Sequence, residues 1–203
     1  MKLIIVRHGQ AEHNVHSLMV GHGDSVLTDK GESQVSLVAE KLQSEHIDAA
    51  YSSDLTRALH TAQGIMRYHP HVELNVTTAL REVDMGELEG KTKAEFHSAV
   101  KKSGKRWFEL APKGGESMID TRARAAEFIE RLFVEQKGKT VLLVSHGGFI
   151  RALLAHILKH DFRTDQPLRI INTAVTVVEM RDDDTHVAHI INDASHLDDE
   201  SRS

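Results

Sequence analysis

The chain has 203 residues, enough for one α/β domain with an insertion and a sizeable core. With 25 Lys and Arg against 30 Asp and Glu its formal charge is −5, which argues against nucleic acid as a partner. The absence of cysteine excludes disulfide scaffolds, cysteine-ligated zinc and thiolate catalysis. No stretch approaches the ~18 apolar residues of a membrane span, and the run Leu3 to Val6 is too short for a signal-peptide core. No membrane partner is expected, and the reading is a soluble cytoplasmic protein. Histidine is abundant, at 15, and most of these side chains are expected on the surface.

Lys2 to Arg7 (KLIIVR) has the length and apolarity of a buried strand, and Gly9 breaks it. From Asp29, with Glu32 three residues on, Val35, Val38, Ala39 and Leu42 recur at helical spacing. A short strand over Ala49 to Ser52 leads into a helix with Leu55, Ala58, Leu59, Ala62, Ile65 and Met66 on one face, ended by Pro70. Val72 to Val76 reads as another strand, and the acidic, glycine-containing stretch Glu82 to Gly90 as irregular. Ser117 and Asp120 open an amphipathic helix that Lys137 and Gly138 stop; VLLV (Val141 to Val144) is a strand, followed by an apolar helix over Phe149 to Leu158. Ala174 to Met180 and His186 to Ile191 are β-rich, and residues 198–203 read as a flexible, solvated tail. Strands alternating with helices predict a three-layer α/β/α fold on a largely parallel sheet, as one domain over 1–203.

In such sheets, sites form beyond the carboxyl ends of the strands. Those ends carry Arg7, His8 and Gly9; then Ser52, Ser53 and, a few residues on, Arg57; then Ser145, His146 and Gly147. One edge would gather two guanidinium groups, two imidazoles and two helix N-termini, a setting for an anion and above all a phosphate. Taken singly, strand-end arginines also pair with surface carboxylates.

The same residues resemble the histidine phosphatase superfamily, which includes cofactor-dependent phosphoglycerate mutases and fructose bisphosphatase domains. Arg7, His8, Gly9 and Asn14 look like its signature, and Gly21, Asp24, Leu27, Thr28, Lys30, Gly31 and Gln34 resemble the stretch that follows. Ser52, Ser53, Leu55, Arg57, Ala58, Thr61 and Ala62 resemble the next block; Leu80, Arg81, Glu82, Gly86, Glu89 and Gly90 the acid-donor block. Gly115, Glu116 and Ser117, then Ser145, His146 and Gly147, and finally Asn172 complete the series. The resemblance implies a phosphomonoesterase acting on a small phosphorylated metabolite without metal or cofactor. His8 would be the nucleophile, forming a phosphohistidine; Arg7, Arg57 and His146 would hold the phosphoryl oxygens; Glu82 would be the general acid and base. Asn14, Gly147, Gly21 and Gln10 would contact substrate. Without the resemblance, Glu82 is one of several carboxylates on an acidic loop.

Two departures bear on the type of reaction. Ala11 stands where a hydroxyl residue is common, and the stretch between Glu82 and Gly115 is shorter than in the mutases and lacks their adjacent arginines. Both favour a phosphatase over a phosphoglycerate-type mutase; a non-catalytic phospholigand-binding or scaffold protein is the remaining alternative. The insertion at about 91–113 is locally basic and carries Trp107 and Phe108. It reads either as a cap that steers a polyanionic substrate over the strand ends or as a solvated basic helix with its aromatics in the core. His156 with His160, and His13 with His16, have the spacing of metal ligands, but no H-E-x-x-H pattern accompanies them and no metal site is expected. A second copy of the chain, as a homodimer, is a further candidate partner.

Overall fold

The computed structural model describes residues 1–160 and 168–202. Among the described residues, six strands form the main sheet: β1 (Lys2–Arg7), β3 (Ala49–Ser53), β4 (Leu74–Thr77), β6 (Thr140–Ser145), β7 (Val175–Glu179) and β8 (Val187–Asp193), in the order β4-β3-β6-β1-β7-β8. The four from β4 to β1 are mutually parallel, and β7 and β8 close one side antiparallel. The long helices are α2 (Asp29–Leu42), α3 (Thr56–Met66), α5 (Met118–Glu135) and α6 (Gly147–Ile157).

Residues alternate across a strand, so each apolar run serves two cores. Leu3 and Ile5 of β1 and Val141 and Leu143 of β6 pack with Phe128, Ile129 and Leu132 of α5 and with Phe149, Ile150 and Leu153 of α6. Ile4, Val6, Leu142 and Val144 face the other way, against Val38, Ala39 and Leu42 of α2 and Ala58, Ala62 and Ile65 of α3. The result is the expected three-layer sandwich. A backbone approach sets the contact between α2 and the loop after β1. A Cβ on Gly31 would collide with the carbonyl oxygen of Gln10, and one on Gly9 would stand 2.8 Å from the carbonyl oxygen of Gly31.

Several elements differ from the sequence expectation. The helix expected from Phe149 starts at Gly147, because His146 already has the extended backbone of an N-cap. The stretch from Leu74 reaches Thr77, where the Thr77 hydroxyl accepts the Ala79 N–H of a 3₁₀ turn, Thr78–Leu80. Three small elements were not legible: α1 (Glu12–Val15) and the two-stranded ribbon of β2 (Leu18–Met19) with β5 (Lys91–Thr92). Residues 199–202 are a turn of helix, α7 (Asp199–Arg202), rather than a loose tail. The carbonyls of Glu200 and Ser201 accept from Lys30 and Gln34 of α2, and Arg202 donates to the Ala194 carbonyl. Residue 203 of the expected tail lies outside the described residues.

The basic insertion forms α4 (Lys93–Ser103), capped by Thr92 and Glu95, and it buries none of its side chains. Phe108 is buried beside Met118 and Ala152, with Trp107 packed edge-on against it.

Candidate active site

Parallel register brings the predicted strand ends together: Arg7 pairs with Ser145 and Ser52 with Val144, so His8, Ser53 and His146 emerge at one edge. The His8 N–H donates to the Ser145 carbonyl at 3.0 Å, and Asn172 donates to the His8 carbonyl at 2.9 Å. The His8 ring is 2% exposed. Its Nδ1 lies 2.7 Å from the carbonyl oxygen of Gly9, which only accepts, so Nδ1 carries the hydrogen and Nε2 carries the lone pair.

His146, fully buried, has its ring centroid 5.1 Å from that of His8. The Arg57 Nε–H donates to its Nδ1 at 3.2 Å, which leaves the ring hydrogen on Nε2, 2.9 Å from the Ser53 hydroxyl. Both ring nitrogens are thus engaged within the protein. Arg57 is itself 1% exposed, and its two remaining nitrogens donate to the carbonyls of Gly23 and Gly21 at 2.8 and 2.9 Å. Gly21 therefore acts on the site through Arg57. It has a φ of +47° and no room for a Cβ, which would come within 2.8 Å of the Met85 nitrogen.

Arg7 donates to the Ile170 carbonyl at 2.6 Å, while its Nε is buried without a partner among the described residues. Burial lowers the Arg7 pKa to about 10 against the opposing pull of Glu82, so the guanidinium is charged at neutral pH. Asn14 is committed locally: its Oδ1 accepts from the Ala11 N–H and its amide approaches the His13 Nε2 at 2.9 Å. Gln10 is tied to the start of α2, through Gln34 and Thr28.

Glu82 reaches the N-terminus of α6. Its Oε1 accepts from the backbone N–H of Val83 and of Phe149, both at 2.9 Å, and its Oε2 accepts from Gly148 at 3.0 Å. The free N–H groups at the helix start hold both carboxyl oxygens in place. Position 148 must be glycine for this, because a Cβ would collide with Oε1.

Four residues not singled out for the site surround it. The His13 ring lies 5.9 Å from that of His8, with a pKa lowered to about 4 by burial and then by Arg57 and Arg7. His22 donates through Nε2 to the Glu82 carbonyl at 2.9 Å, Arg124 donates to the same carbonyl at 3.1 Å, and Glu116 pairs with Arg124. In the sequence, His13 stands out only by its spacing to His16 and Glu116 only through the family resemblance, while nothing marks His22 or Arg124, each of which acts on a residue distant in sequence. In the other spaced pair, His156 pairs instead with Glu130 at 3.2 Å, and both line a cavity of about 600 Å³ near the far end of α6. Among the described residues, no group of three or more His, Asp or Glu side chains is placed to hold a metal ion.

Burial first, then neighbouring arginines, hold His8 and His146 well below the usual histidine pKa. In the unfolded chain each takes up a proton near its ordinary value of ~6.5, so below that pH the unfolded state binds more protons and stability falls. The stabilisation is present above pH 6.5 and is lost as the pH drops through it. Together the two should cost about 2 kcal/mol between pH 7 and 5.5. Urea denaturation at the two pH values checks this, and unchanged midpoints would contradict it.

Residues 3–193 match the family model of the histidine phosphatase superfamily (branch 1). The chain belongs to the histidine phosphatase superfamily. Similar relatives within it include a phosphoglycerate mutase-like protein of Arabidopsis thaliana, 33% identical over 97% of this chain and 87% of that one. A broad-specificity phosphatase of Saccharomyces cerevisiae is 32% identical over 98% and 88%. A solved mutant phosphoserine phosphatase from Entamoeba histolytica, in complex with phosphoserine, superposes with a TM-score of 0.86 at 29% identity, covering 97% of this chain and 98% of that one. Membership makes this chain an enzyme of phosphoryl chemistry, of the phosphoric monoester hydrolase kind. No helix among the described residues is long and apolar enough to cross a membrane.

Proposed function

We propose that the protein hydrolyses the phosphate monoester of a small metabolite, without metal or cofactor, through a phosphohistidine at His8. The carrying observation is the Nδ1 contact of His8 with the Gly9 carbonyl, which leaves the Nε2 lone pair as the nucleophile. The imidazole is neutral at physiological pH, as attack requires, because it is buried among arginines. Arg7, with its unpartnered Nε, and the backbone N–H of Gly147 hold the transferring phosphoryl oxygens, where charge shifts during the step. Arg57 adds its charge and fixes His146.

Attack by Nε2 forms the N–P bond as the P–O ester bond breaks, and the leaving oxygen takes a proton from Glu82. Both lone pairs of Oε1 are used by backbone N–H groups, and one of Oε2 is not, so the proton is carried on Oε2. Glu82 then accepts a proton from the water that cleaves the N–P bond, releasing orthophosphate and restoring the acid.

The named relative that is phosphoglycerate mutase-like supports a second reading, return of the phosphoryl group to a substrate hydroxyl. The shorter stretch between Glu82 and Gly115 favours hydrolysis, since a mutase must shield its phosphohistidine from water. Phosphorus NMR in EDTA, with 3-phosphoglycerate, a trace of 2,3-bisphosphoglycerate, phosphoserine and sugar phosphates, separates the two. Orthophosphate release is expected. Formation of 2-phosphoglycerate without orthophosphate would establish the mutase instead, and no turnover of any ester would overturn both.

A further inference from the structure

Arg124 lies in the middle of α5 and has all five of its N–H bonds used, three of them on the chain segment that ends in Glu82. One terminal nitrogen donates to the carbonyls of Ala79 and Arg81, both at 2.9 Å. The other donates to the Glu82 carbonyl at 3.1 Å and to Glu116 Oε2 at 2.7 Å, and Nε completes the fork on Glu116 Oε1 at 2.9 Å. The guanidinium also lies 5.2 Å from the centroid of the Phe149 ring, whose own N–H binds the Glu82 carboxylate. Glu116 in turn accepts from the Asp84 N–H at 3.1 Å. The backbone on both sides of Glu82 is therefore fastened to one ion pair.

We propose that Arg124 is a positioning residue for proton transfer by Glu82, acting with Glu116 as a clamp on residues 79–84. The proposal rests on the acid role given to Glu82 above. Arg124 touches neither substrate nor phosphoryl group; it fixes the distance from the Glu82 carboxyl to the leaving oxygen, to which the proton passes as the P–O bond breaks. Lysine has one charged nitrogen and no planar fork, so it cannot hold three carbonyls and a carboxylate together.

A step that depends on Glu82 as acid matters most when the leaving oxygen is basic. The test compares kcat/KM, which covers steps up to the phosphohistidine, for phosphoserine and for 2,4-dinitrophenyl phosphate, whose leaving group departs without a proton. For Arg124→Lys the expected loss is about 30-fold on phosphoserine and under threefold on the aryl ester, within the ~10² to 10⁴-fold contributed by general acid catalysis. Glu82→Gln should show the same selectivity, and Arg124→Lys should add no further loss in that background. Equal losses on both esters, or none, would overturn the proposal. Thermal melting and orthophosphate binding check that the variant is folded. If Arg124→Lys does not fold, Glu116→Gln, which weakens half of the fork, carries the same expectation and the same refutation. If the wild-type protein turns over no phosphate ester, the phosphatase reading fails and the proposal with it; hydrolysis of both esters with unselective variants refutes the clamp alone.

Discussion

His8→Ala should reduce hydrolysis of every phosphate ester by roughly 10³-fold or more, a barrier increase of about 4 kcal/mol, while orthophosphate still binds. The side chain contributes little to folding beyond its own packing, because its only hydrogen bond among the described residues is the one to the Gly9 carbonyl. The backbone bonds that hold the strand end, from His8 N–H to Ser145 and from Asn172 to the His8 carbonyl, survive the substitution. Single-turnover assays with radiolabelled phosphoserine, quenched in base where phosphohistidine is stable, should label the wild type and not the variant. A labelled His8→Ala protein with near-normal turnover would place the nucleophile elsewhere.

Glu82→Gln should lower kcat/KM by about 10² to 10⁴-fold for alkyl phosphates and far less for activated aryl esters. The amide oxygen can still accept from α6, but the NH₂ group cannot accept, so one backbone N–H of Val83, Gly148 or Phe149 loses its partner. A stability cost of roughly 1 kcal/mol follows from one unsatisfied donor. Kinetics and melting together test the assignment: loss of activity across all esters alike, with the melting temperature lowered, would assign Glu82 a structural role at the helix start.

The core was legible where local pattern and burial agree. KLIIVR and VLLV are apolar at every inner position because both faces of those strands are covered, and the sequence contains no other pair of runs so suited to the centre of a parallel sheet. His8, Arg7 and His146 were legible because parallel pairing forces strand ends to meet. The direction of β7 was not, since a β-rich run reads the same either way and the connection before it decides. The reach of Glu82 to Gly148 was also hidden, as it spans 66 positions and depends on a glycine whose purpose only the folded chain reveals. Arg124 lay on a helix whose apolar stripe explains its neighbour Ala125 but is silent on a charged residue at the stripe's margin.

The contact of Gly31 with Gln10 gives α2 a standing that distance from the chemistry would not suggest. A helix that meets the catalytic loop backbone to backbone has no side chains between them to absorb a shift, so a displacement of α2 reaches the peptide next to His8 almost undamped. Mutational tolerance should therefore follow mechanical coupling rather than proximity to substrate: the outer face of α2 can drift freely, whereas one added methyl at position 31 acts on the nucleophile's loop as a wedge.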